Sequence, residues 1–237
     1  MRLDLYLVEC GIFESRNKAQ YEIKSGKVTV NNKIVTKSSY DVADDDIVDT
    51  MPDTLKYVSK GGLKLEKALD YFNIDVSGKT CLDIGSSTGG FTDCLIQYGA
   101  KEVYSVDVGT DQLHESLKTN PKVRSFEKTN FLTMDLNILP KIDIIVTDVS
   151  FIKVETILER VIDSFNDVTV IFLIKPQFEV GRMYIKNGVI KDESIRVKVI
   201  NDIKEFLKSH NINTNEIIES PILGGSGNKE YLTYFQK

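Results

Sequence analysis

Thr80-Cys-Leu-Asp-Ile-Gly-Ser-Ser-Thr-Gly-Gly-Phe91 is the stretch that decides the fold. An apolar strand carrying the acid Asp83 runs into a glycine-rich turn, Gly85 to Gly90, and a helix is expected from Phe91. Such a turn lets a ligand approach the backbone and leaves N–H groups free at a helix N-terminus. A second apolar strand, Glu102 to Asp107, ends in another acid. Asp107 follows the glycines by roughly 20 residues, where an acid binds ribose hydroxyls in a nucleoside-binding βαβ unit. The glycine pattern is not that of a dinucleotide site, and Asp83 stands where it would repel a pyrophosphate. A ligand with a cationic amino group, a ribose and no phosphate fits better. S-adenosylmethionine meets that description.

The 237 residues suit one large domain or a small and a medium one. A hydrophobic content of 41% and a charged content of 27% are those of a soluble globular protein. Neither a long apolar run nor a signal peptide is evident, so a membrane span and secretion are not expected. Cys10, Cys81 and Cys94 are scattered, without metal spacing, which suggests the reducing cytoplasm. With only His114 and His210, a histidine metal centre or a Ser-His-Asp triad is not expected either.

Residues 1–52 read as a separate module and 53–58 as a linker, because Pro52 interrupts the pattern and the apolar periodicity resets after it. Ser15 is a candidate N-cap for a helix from Arg16 to Ser25, stopped by Gly26. Lys27 to Val35 reads as a hairpin turning at Asn31-Asn32, with a last strand near Asp46. Residues 1–38 hold seven bases and four acids, and five aspartates follow between Asp41 and Asp49. Arg16, Lys18, Lys24 and Lys27 edge the helix and hairpin and suit phosphates. On charge alone they read equally as a solvated surface.

Residues 59–237 form the second module. A helix enters at about Tyr57, with Leu63, Leu65, Ala68 and Leu69 on one face and Lys64 near its start. Gly109 to Lys118 is expected to be helical, and Asn130 is placed to meet an adenine. Two further apolar strands end in Asp148 and Lys175. At the carboxyl ends of parallel strands these are ligand positions. Asp148-Val-Ser-Phe151 lacks the prolines of an amino-methylating loop, which argues against base N-methylation. A loop to about Asp192, a helix from Glu193 to Ser209 and strands at Glu216–Glu219 and Tyr231–Phe235 complete the chain, with Glu230 at the start of the last strand. Strands alternating with helices predict a mostly parallel, doubly wound sheet with one antiparallel strand.

The order Arg2-Leu-Asp, Ser15-Arg16, Gly26-Lys-Val-Thr-Val-Asn resembles an S4 RNA-binding domain. That resemblance implies RNA contacts at Arg16, Lys18, Lys24 and Lys27. Lys64, Asp148, Lys175 and Glu230 match the Lys-Asp-Lys-Glu set of FtsJ-like ribose 2′-O-methyltransferases. With Ser59-Lys-Gly-Gly-Leu-Lys, Ile174-Lys-Pro-Gln-Phe-Glu and Ser226-Gly-Asn-Lys-Glu, the whole chain resembles the TlyA (hemolysin A) family. The resemblance implies a Rossmann-like class I S-adenosylmethionine-dependent methyltransferase sheet with a small N-terminal α+β S4 domain. It implies 2′-O-methylation of cytidines in ribosomal RNA, on naked RNA or a ribosomal subunit, with no metal. The expected donor contacts are Asp83, Gly85, Ser86, Thr88, Gly89, Gly90, Phe91, Asp107 and Asn130. Shortness at both ends against the longer subtype points to large-subunit RNA. A non-catalytic assembly factor and a pore-forming hemolysin are the competing readings.

Overall fold

This computed structural model describes residues 1–43, 45–50, 56–213, 215–224 and 227–237, with Arg182 described by its backbone alone. The chain divides into two compact units, Met1–Thr54 and Leu55–Lys237. Half of the expected linker, 53–58, lies outside the described residues, which resume at Lys56.

In the first unit, α1 (Leu3–Glu9) and α2 (Arg16–Lys24) lie beside a small antiparallel sheet of order β2-β1-β3. Ser15 caps α2 by accepting from the Lys18 N–H. Strands β1 (Val28–Val30) and β2 (Lys33–Ile34) are joined by Asn31 and Asn32, with φ of 51° and 63°. Two left-handed residues make the mirror-image turn that matches strand twist. β3 (Val48–Thr50) pairs with the other edge of β1. Leu3, Leu7, Ala19, Ile23, Val28, Val30 and Val42 form the core of this unit.

The second unit is built on a sheet of order β6-β5-β4-β7-β8-β10-β9. β4 (Thr80–Ile84), β5 (Glu102–Val106), β6 (Val123–Phe126), β7 (Ile144–Thr147) and β8 (Thr169–Ile174) run parallel. β10 (Tyr231–Gln236) is antiparallel to both β8 and β9 (Ile218–Glu219). Alternation along β8 serves both faces. Val170, Phe172 and Ile174 join α6 (Val154–Ser164) and α8 (Glu193–Ser209) in one core. Ile171 and Leu173 join α3 (Gly61–Phe72) and α4 (Gly90–Gln97) in the other. A sheet buried on both faces by helices is the doubly wound arrangement expected from the alternating pattern.

Several expectations are corrected. Only Glu115–Lys118 of the expected helix 109–118 is helical (α5). Asp111 is left-handed, which interrupts helical backbone there, and the Glu127 carboxylate takes the N–H groups of Asp111, Gln112 and Leu113. The stretch after Pro176 is no plain loop: it contains α7 (Pro176–Glu179) and a 3-10 turn at Arg182–Tyr184. The strand expected at 216–219 is only Ile218–Glu219. Helix α6 was not anticipated, although Val154, Ile157, Leu158, Val161 and Ile162 give it one apolar face.

Candidate active site

Strand order reverses between β5 and β7 around β4, and this topological switch point opens a crevice at the strands' carboxyl ends. A cavity of about 480 Å³ lies there, its wall including Ile84, Gly85, Asp107, Asn130, Phe131 and Asp148. Gly85 has φ +83°, and a Cβ on it would lie 3.1 Å from the Asp148 carbonyl oxygen, so the turn requires glycine. Asp107 accepts from the N–H groups of Ser87 and Gly109, each at 2.7 Å. It thereby ties the glycine turn to the strand beside it, and it lines the cavity with acceptor capacity to spare.

Asp83 is fully buried in β4. Its Oδ2 accepts from Thr92 at 2.6 Å, while Oδ1 has no hydrogen-bond partner among the described residues. Burial pushes its carboxyl up to about 7; the Thr92 bond opposes this and the charge of Asp148 adds to it. An unpartnered buried carboxylate oxygen is costly, and a cationic ligand group would offset that cost.

Of the nine expected donor contacts, Gly85, Asp107 and Asn130 line the cavity. The structure gives others a packing role. A Cβ on Gly89 would lie 2.3 Å from Leu117 Cδ1, and one on Gly90 would lie 2.9 Å from the Gly62 nitrogen. These glycines admit neighbouring elements, not only a ligand. Phe91 is a core residue of α4, in one apolar cluster with residues of α3. Ser86 is buried, and the Thr88 carbonyl accepts from His114 N–H. The cavity wall also includes Gln112, Val149, Ser150 and Phe151, which sequence reasoning did not single out as contacts. For Ser150 and Phe151 a signal existed, because both belong to the motif beginning at Asp148.

Lys64, Asp148, Lys175 and Glu230 come together beside this cavity. Lys64 Nζ donates to Glu230 Oε2 at 2.6 Å and lies 3.6 Å from Asp148 Oδ2. Lys175 Nζ pairs with Asp148 Oδ1 and donates to Ser150 Oγ at 2.8 Å. Asp148 follows β7, Lys175 follows β8, Glu230 precedes β10 and Lys64 projects from α3, so four elements each supply one charge. The result is a row of alternating sign, Glu230–Lys64–Asp148–Lys175. Lys64, Lys175 and Glu230 are only 7%, 8% and 2% exposed, so these pairs are shielded from water. Gln177 Nε2 donates to Glu230 Oε1 at 3.2 Å. A Cβ on Gly224 would lie 2.2 Å from that same oxygen. The Phe178 ring lies 5.8 Å from Lys175 Nζ, and Phe151, 91% exposed, lies 5.0 Å from Phe178 between ring centroids.

In the N-terminal unit the expected RNA contacts are organised by two buried acids. Asp4 accepts from Arg2, from Arg16 at 2.9 Å and from Gln20 at 2.7 Å. The Arg2 guanidinium first, then Gln20 and Arg16, hold its carboxyl well below the usual carboxylate range. Glu22 pairs with Lys18 at 2.8 Å and Lys27 at 3.2 Å. Lys24 is exposed in the last turn of α2 and forms no ion pair among the described residues. Arg2 joins the basic set as a member not anticipated.

Among the described residues no group of His, Cys, Asp or Glu is arranged to hold a metal, and no helix is long and apolar enough to cross a membrane. The FtsJ-like methyltransferase family model matches residues 57–237, and the S4 domain model matches residues 1–48. Hemolysin A of Brachyspira hyodysenteriae is 43% identical over 99% of each chain. A 23S rRNA (cytidine-2′-O)-methyltransferase TlyA of Campylobacter jejuni is 36% identical over 100% of each. A solved structure described as a "putative hemolysin" from Streptococcus thermophilus is 38% identical, with a TM-score of 0.79 over 100% of this chain and 88% of that one.

Proposed function

The chain belongs to the TlyA-like family of rRNA methyltransferases, which join an S4 domain to an FtsJ-like domain, and from that premise we propose that it methylates the ribose 2′-hydroxyl of a cytidine in large-subunit ribosomal RNA. The observation that carries this reading is the buried alternating row Lys64, Asp148, Lys175 and Glu230 at the edge of the cavity. The large-subunit target is supported by the name of the Campylobacter jejuni relative.

The residues present fit S-adenosylmethionine. Asp83 Oδ1, buried and without a partner among the described residues, suits its ammonium group. Asp107 suits its ribose hydroxyls and Asn130 its adenine, and among the described residues no lysine or arginine lines the cavity to await a phosphate. When bound, the donor supplies a methyl group on a positively charged sulfur. The chain supplies the rest. Lys175 Nζ is the group we assign to the target oxygen, to stabilise the developing alkoxide or, as a free amine, to take the hydroxyl proton. Asp148 sits between both lysines and holds them in register. Glu230, held by Lys64 and Gln177, anchors the far end of the row. Methyl transfer requires alignment of the oxygen, carbon and sulfur, so such fixed positions matter as much as proton transfer. Arg2, Arg16, Lys18 and Lys27 hold RNA phosphates, which position a substrate without reading its sequence.

The test is transfer of labelled methyl to ribosomal subunits from cells lacking the protein, with Lys175→Ala as control. Label on large-subunit ribose that the substitution abolishes supports the reading. Label on a base would sink the ribose mechanism. No label despite measurable donor binding would favour a non-catalytic assembly factor. Lysis of red cells or vesicles by the pure protein would support the activity named in the hemolysin relatives.

A further inference from the structure

Resting on that reading, we propose that Ser150 is a fifth member of the site, a positioning residue that holds the Lys175 ammonium where the ribose 2′-oxygen meets it. Lys175 emerges from the end of β8 on a long side chain with four rotatable bonds. A single carboxylate leaves such a group free to pivot about it. Two acceptors from the same loop fix it: Asp148 Oδ1 and Ser150 Oγ at 2.8 Å. Both acceptors lie on the cavity wall.

The segment that carries Ser150 is itself held in place. The Asp148 N–H donates to the Ile84 carbonyl of β4 at 3.2 Å. Val149 lies against Gly85, where a Cβ would come 3.1 Å from Val149 Cγ1. Phe151 rests on Phe178 of α7, the helix that follows Lys175. Phe151 also has φ +65°, a left-handed conformation that a bulky residue adopts only under strain. The backbone is therefore strained and bent directly after Ser150. Such strain persists only where the surroundings enforce it, and here it accompanies a serine hydroxyl accepting from the buried lysine.

The experiment compares wild type, Ser150→Ala, Ser150→Thr and Lys175→Ala in ribose methylation of ribosomal subunits, with donor affinity measured separately by calorimetry. Ser150→Ala is expected to lower kcat about tenfold or more, the effect of losing one hydrogen bond to a charged group, with KM for donor and RNA unchanged. Ser150→Thr keeps the hydroxyl and is expected to restore most of the loss. A purely structural role would lower the melting temperature of Ser150→Ala, and a donor-wall role would weaken donor affinity; either result in place of the kcat effect overturns the proposal. Full activity in Ser150→Ala, where Lys175→Ala is inactive, removes this inference and leaves the ribose mechanism standing. No ribose label with the wild-type protein removes both.

Discussion

In the N-terminal unit Asp4 and Glu22 are the buried partners, and the basic groups they hold reach solvent, Arg2, Arg16 and Lys18 each with about half the side chain exposed. In the C-terminal unit Lys64 and Lys175 are themselves buried, each against a carboxylate. One arrangement displays positive charge for a ligand to neutralise. The other cancels charge internally and keeps only direction. Charge held at a surface favours a diffuse anion such as an RNA backbone and weakens with salt. Charge held in a dry crevice acts on one atom and is little screened.

The largest effect should come from breaking the buried row. Lys175→Ala is expected to lower the methylation rate by about a hundredfold or more, with donor affinity nearly unchanged, because the lost contact serves the transition state. A rate assay paired with calorimetry checks this. An equal fall in donor affinity would mean that the row shapes the donor cavity and does no chemistry.

Asp83→Asn probes the same buried electrostatics from the donor side. Burial raises the Asp83 carboxyl to about 7 in the folded protein, above its unfolded value, so the folded state favours the protonated form. Wild-type stability contributed by this group is therefore greatest in acid and is lost as pH rises from the ordinary carboxylate range through about 7. Thermal melts of wild type and Asp83→Asn should diverge over that window, with the variant the more stable at pH 8. A cationic donor group favours the carboxylate, so wild-type donor affinity should climb with pH over the same window and that of the variant should stay low and flat.

These buried groups also show what a sequence can and cannot reveal. The strand, turn and acid at Thr80–Phe91 were legible because their chemistry is local, and so were the Ser15 cap and the Asn31-Asn32 turn. Lys64 was legible only through family resemblance, since its partner Glu230 lies 166 positions away. Helix α6 shows the apolar spacing of a helix, yet its start at Val154 has no side-chain cap of its own. The Val154 N–H is taken by Glu179, a contact made across the fold. The failed helix at Gly109 has a related origin: Asp111 is left-handed, and Glu127 from a later segment takes the N–H groups of Asp111, Gln112 and Leu113. Gly90 read as ligand clearance, whereas the space it leaves is filled by α3.

Gly224→Ala tests how closely the row is held. Its Cβ would meet Glu230 Oε1 at 2.2 Å, so Glu230 must move away from Lys64 or Gln177. Activity should fall about tenfold, a smaller loss than removing Lys175 outright, because the carboxylate survives in a shifted position. Unchanged kinetics would show that Glu230 only balances charge and that its exact place is unimportant.

The smallest effects belong to the surface face, and they separate pinned from unpinned cations. Arg16 is held by Asp4, whereas Lys24 has no ion pair among the described residues. A guanidinium already fixed loses little freedom when it binds a phosphate, and a free lysine loses more. Arg16→Ala should therefore weaken RNA binding several-fold and reduce the slope of log affinity against log salt by about 1, as expected for one lost phosphate contact. Lys24→Ala should do less on both measures. Filter binding across a salt series, with ribosomal RNA as ligand, reads both quantities at once. If the two substitutions prove equal, the pinning by Asp4 serves the stability of the small module and not its grip on RNA. Thermal melting of Asp4→Asn would then show the larger change, since that substitution takes the charge from a buried carboxylate with two arginine partners.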